Sequence, residues 1–189
     1  MTVGPWKPIY LHAYTARISD LHIKSSLSDA LDVAKLEVSI TVSSALAPPS
    51  SSLGAKVTIK KPDGSVLVTH EVPLTSPHVE DIELNGKLEL DLIRKEDVAL
   101  WWPVGYGAQP LYTAEVEIHH VSEEAGGSAS SATLAFKSQR FGLRRVNVVQ
   151  APLEDQEGLS FLFEVNNVRI FVGGSNWWVL VLILWAHSL

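Results

Sequence analysis

The sequence predicts an all-β fold, an immunoglobulin-like antiparallel β-sandwich over residues 16–149, followed by a segment of a different kind. Three observations carry this. Alternating apolar and polar residues recur along the first 149 positions, the period that turns one side of a strand to a core and the other to water. Clusters of Pro, Gly, Asn and Ser separate these segments at short intervals. No twelve-residue stretch keeps a helical period, and IRKEDVALWW (93–102) is the only short helical candidate.

Element by element, YLHAYTARISDLHI (10–23) alternates first. LDVAKLEVSITV (31–42) follows with Leu31, Val33, Leu36, Val38, Ile40 and Val42 apolar, and a one-residue slip between Ala34 and Leu36 reads as a bulge. SSALAPPSSSLG (43–54) is a Pro/Ser loop. Ala55–Lys60 and Val66–Val72 form a hairpin around Pro62-Asp63-Gly64, where Pro presets φ and Gly is free to take a positive one. HVEDIELNGKLELDL (78–92) contains Asn85-Gly86, the strongest short hairpin signal, while its flanks suit one bulged strand equally well. Leu111–Val121 alternates again, EEAGGSASSA (123–132) is a loop, and Thr133–Val149 reads as a last long strand.

Beyond Val149 the pattern changes. QAPLEDQEG (150–158) is a polar linker, and FLFEV-NN-VRIFV (161–172) is a tight hairpin whose two Asn residues tolerate left-handed conformations. The unbroken apolar run WWVLVLILWA, Trp177–Ala186, is too short for the roughly 20 residues that cross a bilayer, so no membrane partner is expected. It reads as a strand buried on both faces in a parallel sheet, the truncated start of a second domain over residues 159–189.

Composition narrows the function classes. A chain of 189 residues with 46% hydrophobic residues has the means to bury a core. A net charge of −6 with scattered Lys and Arg gives no basic field, so nucleic acid is not an expected partner. Without cysteine there is neither a disulfide framework nor a thiolate site. The first residues, MTVGPWKPIYL, hold no long apolar run and do not read as a secretory leader. His119 and His120 are adjacent on a strand and point to opposite faces, so they do not chelate one ion together. No metal or cofactor is expected. The carboxylates are spread without a marked pair, and Arg140, Arg144 and Arg145 form a small basic cluster that reads as an interdomain ion pair or an exposed edge.

LWWPVGYGAQPLY (100–112) concentrates two Trp, two Pro, two Gly and two Tyr. One reading makes Trp101 and Trp102 a platform on which a sugar ring stacks. The stronger reading is a structural corner, with Leu100, Trp101 and Leu111 in the core, Pro103 and Pro110 fixing φ, Gly105 and Gly107 permitting turns, and Tyr112 starting a strand.

Taken in order, GPWKPIYLHAY, LWWPVGYGAQPLYTAEVEI, RFGLRRVNVVQ and FEVNNVRIFVGGSNW resemble the β-mannosidases of glycoside hydrolase family 2. The resemblance covers nearly the whole chain as far as Trp177; beyond it the family continues with a Pro and an acidic residue, whereas this sequence runs VLVLILWAHSL. It implies that residues 1–15 are the last strand of a jelly-roll sugar-binding domain, 16–149 the sandwich, 150–158 a linker and 159–189 the start of a catalytic β/α barrel. It implies a retaining exo-glycosidase acting on terminal β-mannosyl units of oligosaccharides, with both catalytic glutamates on later barrel strands and none in these 189 residues. This chain then contributes no catalytic residue, and only Asn176 and Trp177, where the first barrel strand emerges, are candidates for contact with substrate. An alternative of another class is a stand-alone carbohydrate-binding or adhesion module.

Overall fold

The computed structural model describes residues 7–44, 53–76, 83–93, 98–121, 133–154 and 156–174. The described residues form strands, turns and irregular segments, and no helix is found among them. Of the short helical candidate, residues 98–102 are not helical and 94–97 lie outside the described residues. So do the loops around 45–52 and 123–132 and everything from 175 onward, including the apolar run. The chain divides into two compact units, Met1–Arg144 and Arg145–Leu189.

The first unit contains β1 (Ala16–Leu27), β2 (Val33–Ser44), β3 (Leu53–Lys60), β4 (Val66–Pro73), β5 (Glu83–Ile93), β6 (Tyr112–His120) and β7 (Ala135–Phe141). They lie in two antiparallel sheets, ordered β1-β2-β5 and β4-β3-β6-β7. The inner rows meet in one core: Leu21, Val38, Ile40, Val42 and Leu84 from the first sheet, and Ala55, Val57, Ile59, Val116 and Ile118 from the second. This is the predicted immunoglobulin-like sandwich.

Register differs from the sequence reading at instructive points. Ala34, Leu36, Val38, Ile40 and Val42 are all buried in unbroken alternation, and β2 pairs continuously with β5 from Val33↔Ile93 to Ser43↔Glu83. The bulge expected between Ala34 and Leu36 is therefore absent; the register shift falls in β1, between Ile18 and Asp20. The phase was displaced because Leu31 is not part of the strand. It sits in the preceding turn at φ +59, where its N–H donates to Ser28 O and the Ser28 hydroxyl caps the N–H groups of Asp32 and Val33. The first strand likewise starts at Ala16 rather than Tyr10, and Ile9, Tyr10 and Leu11 are exposed.

Asn85-Gly86 makes no hairpin. β5 runs straight through it, with Thr41 opposite Asn85 and Ile40 opposite Gly86. Glycine leaves room there for the core, since a Cβ would come within 2.9 Å of Leu74 Cδ2 and 3.1 Å of Val72 Cγ1 and those side chains would have to shift. The β3–β4 hairpin forms as expected: Gly64 takes φ +87, its N–H donates to Lys61 O, and Asp63 accepts from the Ser65 N–H.

The expected single strand Thr133–Val149 is two strands in two sheets. β7 ends at Phe141, and Val146–Val149 is β8 of the second unit, where it joins β9 (Leu162–Val165) and β10 (Val168–Ile170) in the order β10-β9-β8. The predicted Asn-Asn turn closes β9–β10 with Asn166 at φ +50 and Asn167 at φ +65, the twist that suits a two-residue hairpin. Asn166 is buried; its Oδ1 accepts from the Arg145 N–H at 3.0 Å and its own N–H donates to Arg145 O at 2.9 Å. The segment read as a linker folds back on itself, with Pro152 bridging to Leu159 and Ser160 N–H donating to Ala151 O.

Candidate functional site

Asn176 and Trp177, the residues the sequence nominates for substrate contact, lie outside the described residues. Three other groups of side chains carry chemistry: the aromatic passage 100–112, the charged outer row of β1-β2-β5, and the arginines after β7.

The aromatic passage is built inward from β6. Tyr112, Ala114, Val116 and Ile118 alternate as buried residues, so Tyr112 and not Leu111 enters the core. There it joins Ala34, Leu36 and Leu143 in a second apolar cluster and stacks on Phe141 with ring centroids 5.8 Å apart. Its hydroxyl accepts a hydrogen bond from the Ala99 N–H at 2.7 Å, the role a tyrosine corner plays in immunoglobulin-like sandwiches. Leu100 bridges in parallel to Leu143, and the Trp101 N–H donates to Leu143 O at 2.9 Å. Trp101 lies against Gly142, whose Cβ, if present, would fall 3.0 Å from Trp101 Cβ and Cγ. The Arg144 guanidinium covers the ring, 4.8 Å from its centroid. Trp102 is seated the same way on Gly107, with its N–H bonded to Ala108 O.

One indole face is therefore occupied by a cation, an arrangement that stabilises the ring by cation–π attraction and withdraws that face from a sugar. Both indoles are only part-buried, but each is held by a glycine on one side. The geometry is that of a corner, as expected, with Tyr112 in place of Leu111 as the inward anchor. Counting parity back from Ile118 and Val116 is the signal that finds it.

The outer row of β1-β2-β5 is a ladder of opposed charges around a shallow groove of about 440 Å3, lined mainly by Lys24, Ser26, Lys35, Glu37, Glu89 and Asp91. Lys87 Nζ lies 2.8 Å from Glu89 Oε1 and 3.5 Å from Glu37 Oε1. The Glu89 hydrogen bond holds the Lys87 ammonium above its usual pKa, and the same bond holds the Glu89 carboxyl below its own. Among the described residues no aromatic ring lines the groove. On the other sheet, His119 Nε2 crosses to Glu71 Oε2 at 3.4 Å, while His120 is exposed.

The three arginines part company. Arg140 is exposed on β7, Arg144 stacks on Trp101, and Arg145 donates from a guanidinium nitrogen to Asn167 Oδ1 at 3.3 Å. They do not converge on one anion site. Two carboxyl groups among the described residues, Asp63 and Glu89, are held low. A general acid for glycoside cleavage needs the opposite displacement.

The sequence profile of the family described as "Glycosyl hydrolases family 2" matches residues 16–144, the seven strands of the sandwich with the Leu143 and Arg144 contacts that close its corner. The chain belongs to glycosyl hydrolase family 2. Among curated family members, it is 33% identical over 177 residues to "Beta-mannosidase B" of Thermothelomyces thermophilus and 30% identical over 179 residues to "Beta-mannosidase B" of Emericella nidulans. Each alignment covers 94% of this chain and 18% of the relative, so the chain spans under a fifth of those proteins. The fold is shared with larger solved family-2 structures. A Parabacteroides merdae β-glucuronidase superposes with a TM-score of 0.57 at 18% identity, covering 85% of this chain and 17% of that one. A Bacteroides fragilis putative β-galactosidase gives 0.58 at 14% identity, covering 82% and 20%. An Amycolatopsis orientalis exo-chitosanase gives 0.56 at 20%, covering 85% and 16%.

Proposed function

We propose that this chain is the sandwich-bearing part of a retaining exo-β-mannosidase that removes terminal β-mannosyl residues from oligosaccharides, and that its own task is to brace neighbouring domains. The observation that carries this is the 33% identity with a β-mannosidase over 94% of the chain, which spans both structural units. Under this reading residues 1–15 close a jelly-roll sugar-binding domain, residues 16–144 are the brace, and the unit that begins at Arg145 leads into a catalytic β/α barrel. The chain alone is inactive. Retention requires two carboxyl groups about 5–5.5 Å apart, one of them held protonated, and in this reading both belong to barrel strands beyond this chain. The corner chemistry supports a bracing role, since its aromatic rings are committed to Gly142, Gly107 and Arg144.

Asn176 and Trp177 are the proposed points of contact with the mannoside, Asn176 as a hydrogen-bonding amide and Trp177 as an apolar wall. The test is a chimera: residues 16–144 replace their counterpart in the Thermothelomyces thermophilus β-mannosidase, and release of chromophore from an aryl β-mannoside is followed beside the isolated 189-residue chain. The reading expects an active chimera and an inert isolated chain. A folded but inactive chimera, or turnover by the isolated chain, overturns it. In the active chimera, with the residues around 176 also exchanged, Asn176→Ala lowers kcat/KM about tenfold, or about 1.4 kcal/mol, without moving Tm.

A further inference from the structure

The only Asn-Gly pair in the chain, Asn85-Gly86, is a hairpin signal that the fold does not use as a turn. It is also the dipeptide in which a backbone nitrogen most readily attacks a side-chain amide, because glycine has no Cβ to obstruct the approach. In that reaction the Gly86 nitrogen forms a bond to Asn85 Cγ, the Cγ–Nδ2 bond breaks, and Nδ2 leaves as ammonia with the proton from Gly86. Water then opens the five-membered imide at either carbonyl, giving aspartate or isoaspartate.

In the folded chain every participant is held away from this path. The Asn85 N–H donates to Thr75 O at 2.8 Å, and Asn85 O accepts from the Thr75 N–H at 2.9 Å. Because neighbouring residues of a strand point their amides to opposite sides, Gly86 turns its N–H toward β2, where Ile40 stands opposite. The attacking nitrogen is thus committed to the ladder. The strand is extended, with ψ near about +135° in such a sheet, which swings the Gly86 nitrogen well away from Cγ. The carboxamide itself is tied: Asn85 Oδ1 accepts from the Thr41 hydroxyl at 3.1 Å.

We infer that Asn85-Gly86 is a fold-gated deamidation site, a self-modification that proceeds only when β5 detaches from β2 and Thr75, and that then prevents the strand from returning. Isoaspartate lengthens the backbone by one carbon and breaks the β2–β5 register, which sets the inner row Leu84, Leu88 and Leu90. It also disturbs the backbone beside Gly86, where Leu74 and Val72 leave no spare volume. Conversion therefore accumulates with the total time β5 spends detached, and each conversion is permanent.

The test is peptide mapping by mass spectrometry of the 189-residue chain incubated at mildly alkaline pH, folded and in urea, with isoaspartate scored at position 85. The expected result is conversion at Asn85 at least about tenfold slower in the folded protein, and faster again in folded Leu84→Ala, whose cavity weakens the strand's attachment. Thr41→Ala, which frees the carboxamide but leaves the ladder intact, changes the folded rate far less than Leu84→Ala. Equal rates folded and unfolded, or no conversion in urea, overturns the inference.

Discussion

The hydroxyl of Tyr112 accepts the backbone N–H of Ala99 at 2.7 Å, joining the first residue of β6 to the chain thirteen positions upstream. The ring beneath it is fully buried against Ala34, Leu36 and Leu143. Tyr112→Phe keeps the ring that stacks on Phe141 and removes the hydroxyl that accepts from Ala99. The expected loss is about 1–2 kcal/mol of unfolding free energy, read from the urea midpoint. An unchanged midpoint would show that the Ala99 amide finds water at no cost.

Gly142 is the seat of Trp101. Alanine at this position places a Cβ 3.0 Å from Trp101 Cβ and Cγ, atoms close to the backbone that cannot swing aside. Gly142→Ala should destabilise the sandwich by about 1–3 kcal/mol and alter its tryptophan fluorescence. A variant with wild-type stability and emission would mean that Trp101 is free to move off the corner.

Asn166 combines two demands, a positive φ and a side-chain acceptor for Arg145 N–H. Two substitutions separate them. Asn166→Gly retains the backbone conformation and loses the acceptor, whereas Asn166→Ala loses both. Hydrogen exchange of the β9–β10 amides should accelerate in both variants and more in the alanine one, by about 1 kcal/mol of additional opening. If the two variants exchange alike, the left-handed turn costs alanine nothing.

Asp63 accepts from the Ser65 hydroxyl at 2.7 Å and the Ser65 N–H at 2.9 Å, and these bonds hold its carboxyl below the usual 3.8. A carboxyl whose folded pKa is depressed contributes its stability above the unfolded value and loses it as pH falls through the folded one. The β3–β4 turn should therefore hold at neutral pH and weaken only below about pH 4. Glu89 follows the same direction through its bond to Lys87; Lys87, whose ammonium is held above its usual 10.5 by the Glu89 carboxylate, contributes at neutral pH and loses that contribution as pH rises from 10.5 through its raised value. In Ser65→Ala the Asp63 titration, followed by NMR, should move up toward 3.8. A curve that stays in place would show that the hydroxyl bond is not the cause.

The sandwich was legible because burial imposes a period of two that needs no knowledge of partners: Val38, Ile40 and Val42, or Val116 and Ile118, announce an inward row by themselves. What failed were the places where a residue's role is set across the fold. Leu31 looked like part of that row until the Ser28 turn took it out, and Asn85-Gly86 looked like a turn until Thr75 and β2 claimed both sides of the strand. Thr133–Val149 kept one alternation although its two halves belong to different sheets, a change of partner that periodicity does not encode. Trp101 showed its composition but not its companion: nothing local links Arg144 to a ring more than forty positions earlier.

β1 packs near β7, and Ser25 Oγ donates to Gly142 O at 3.4 Å, so the late part of β1 meets the end of β7. Ala16, nine residues before Ser25 on an extended strand, stands about 30 Å from that meeting point. The chain thus enters the sandwich at one pole and leaves at the other. A pull on the two flanking segments slides β1 against β7 along their length, loading their contacts together instead of peeling them one by one.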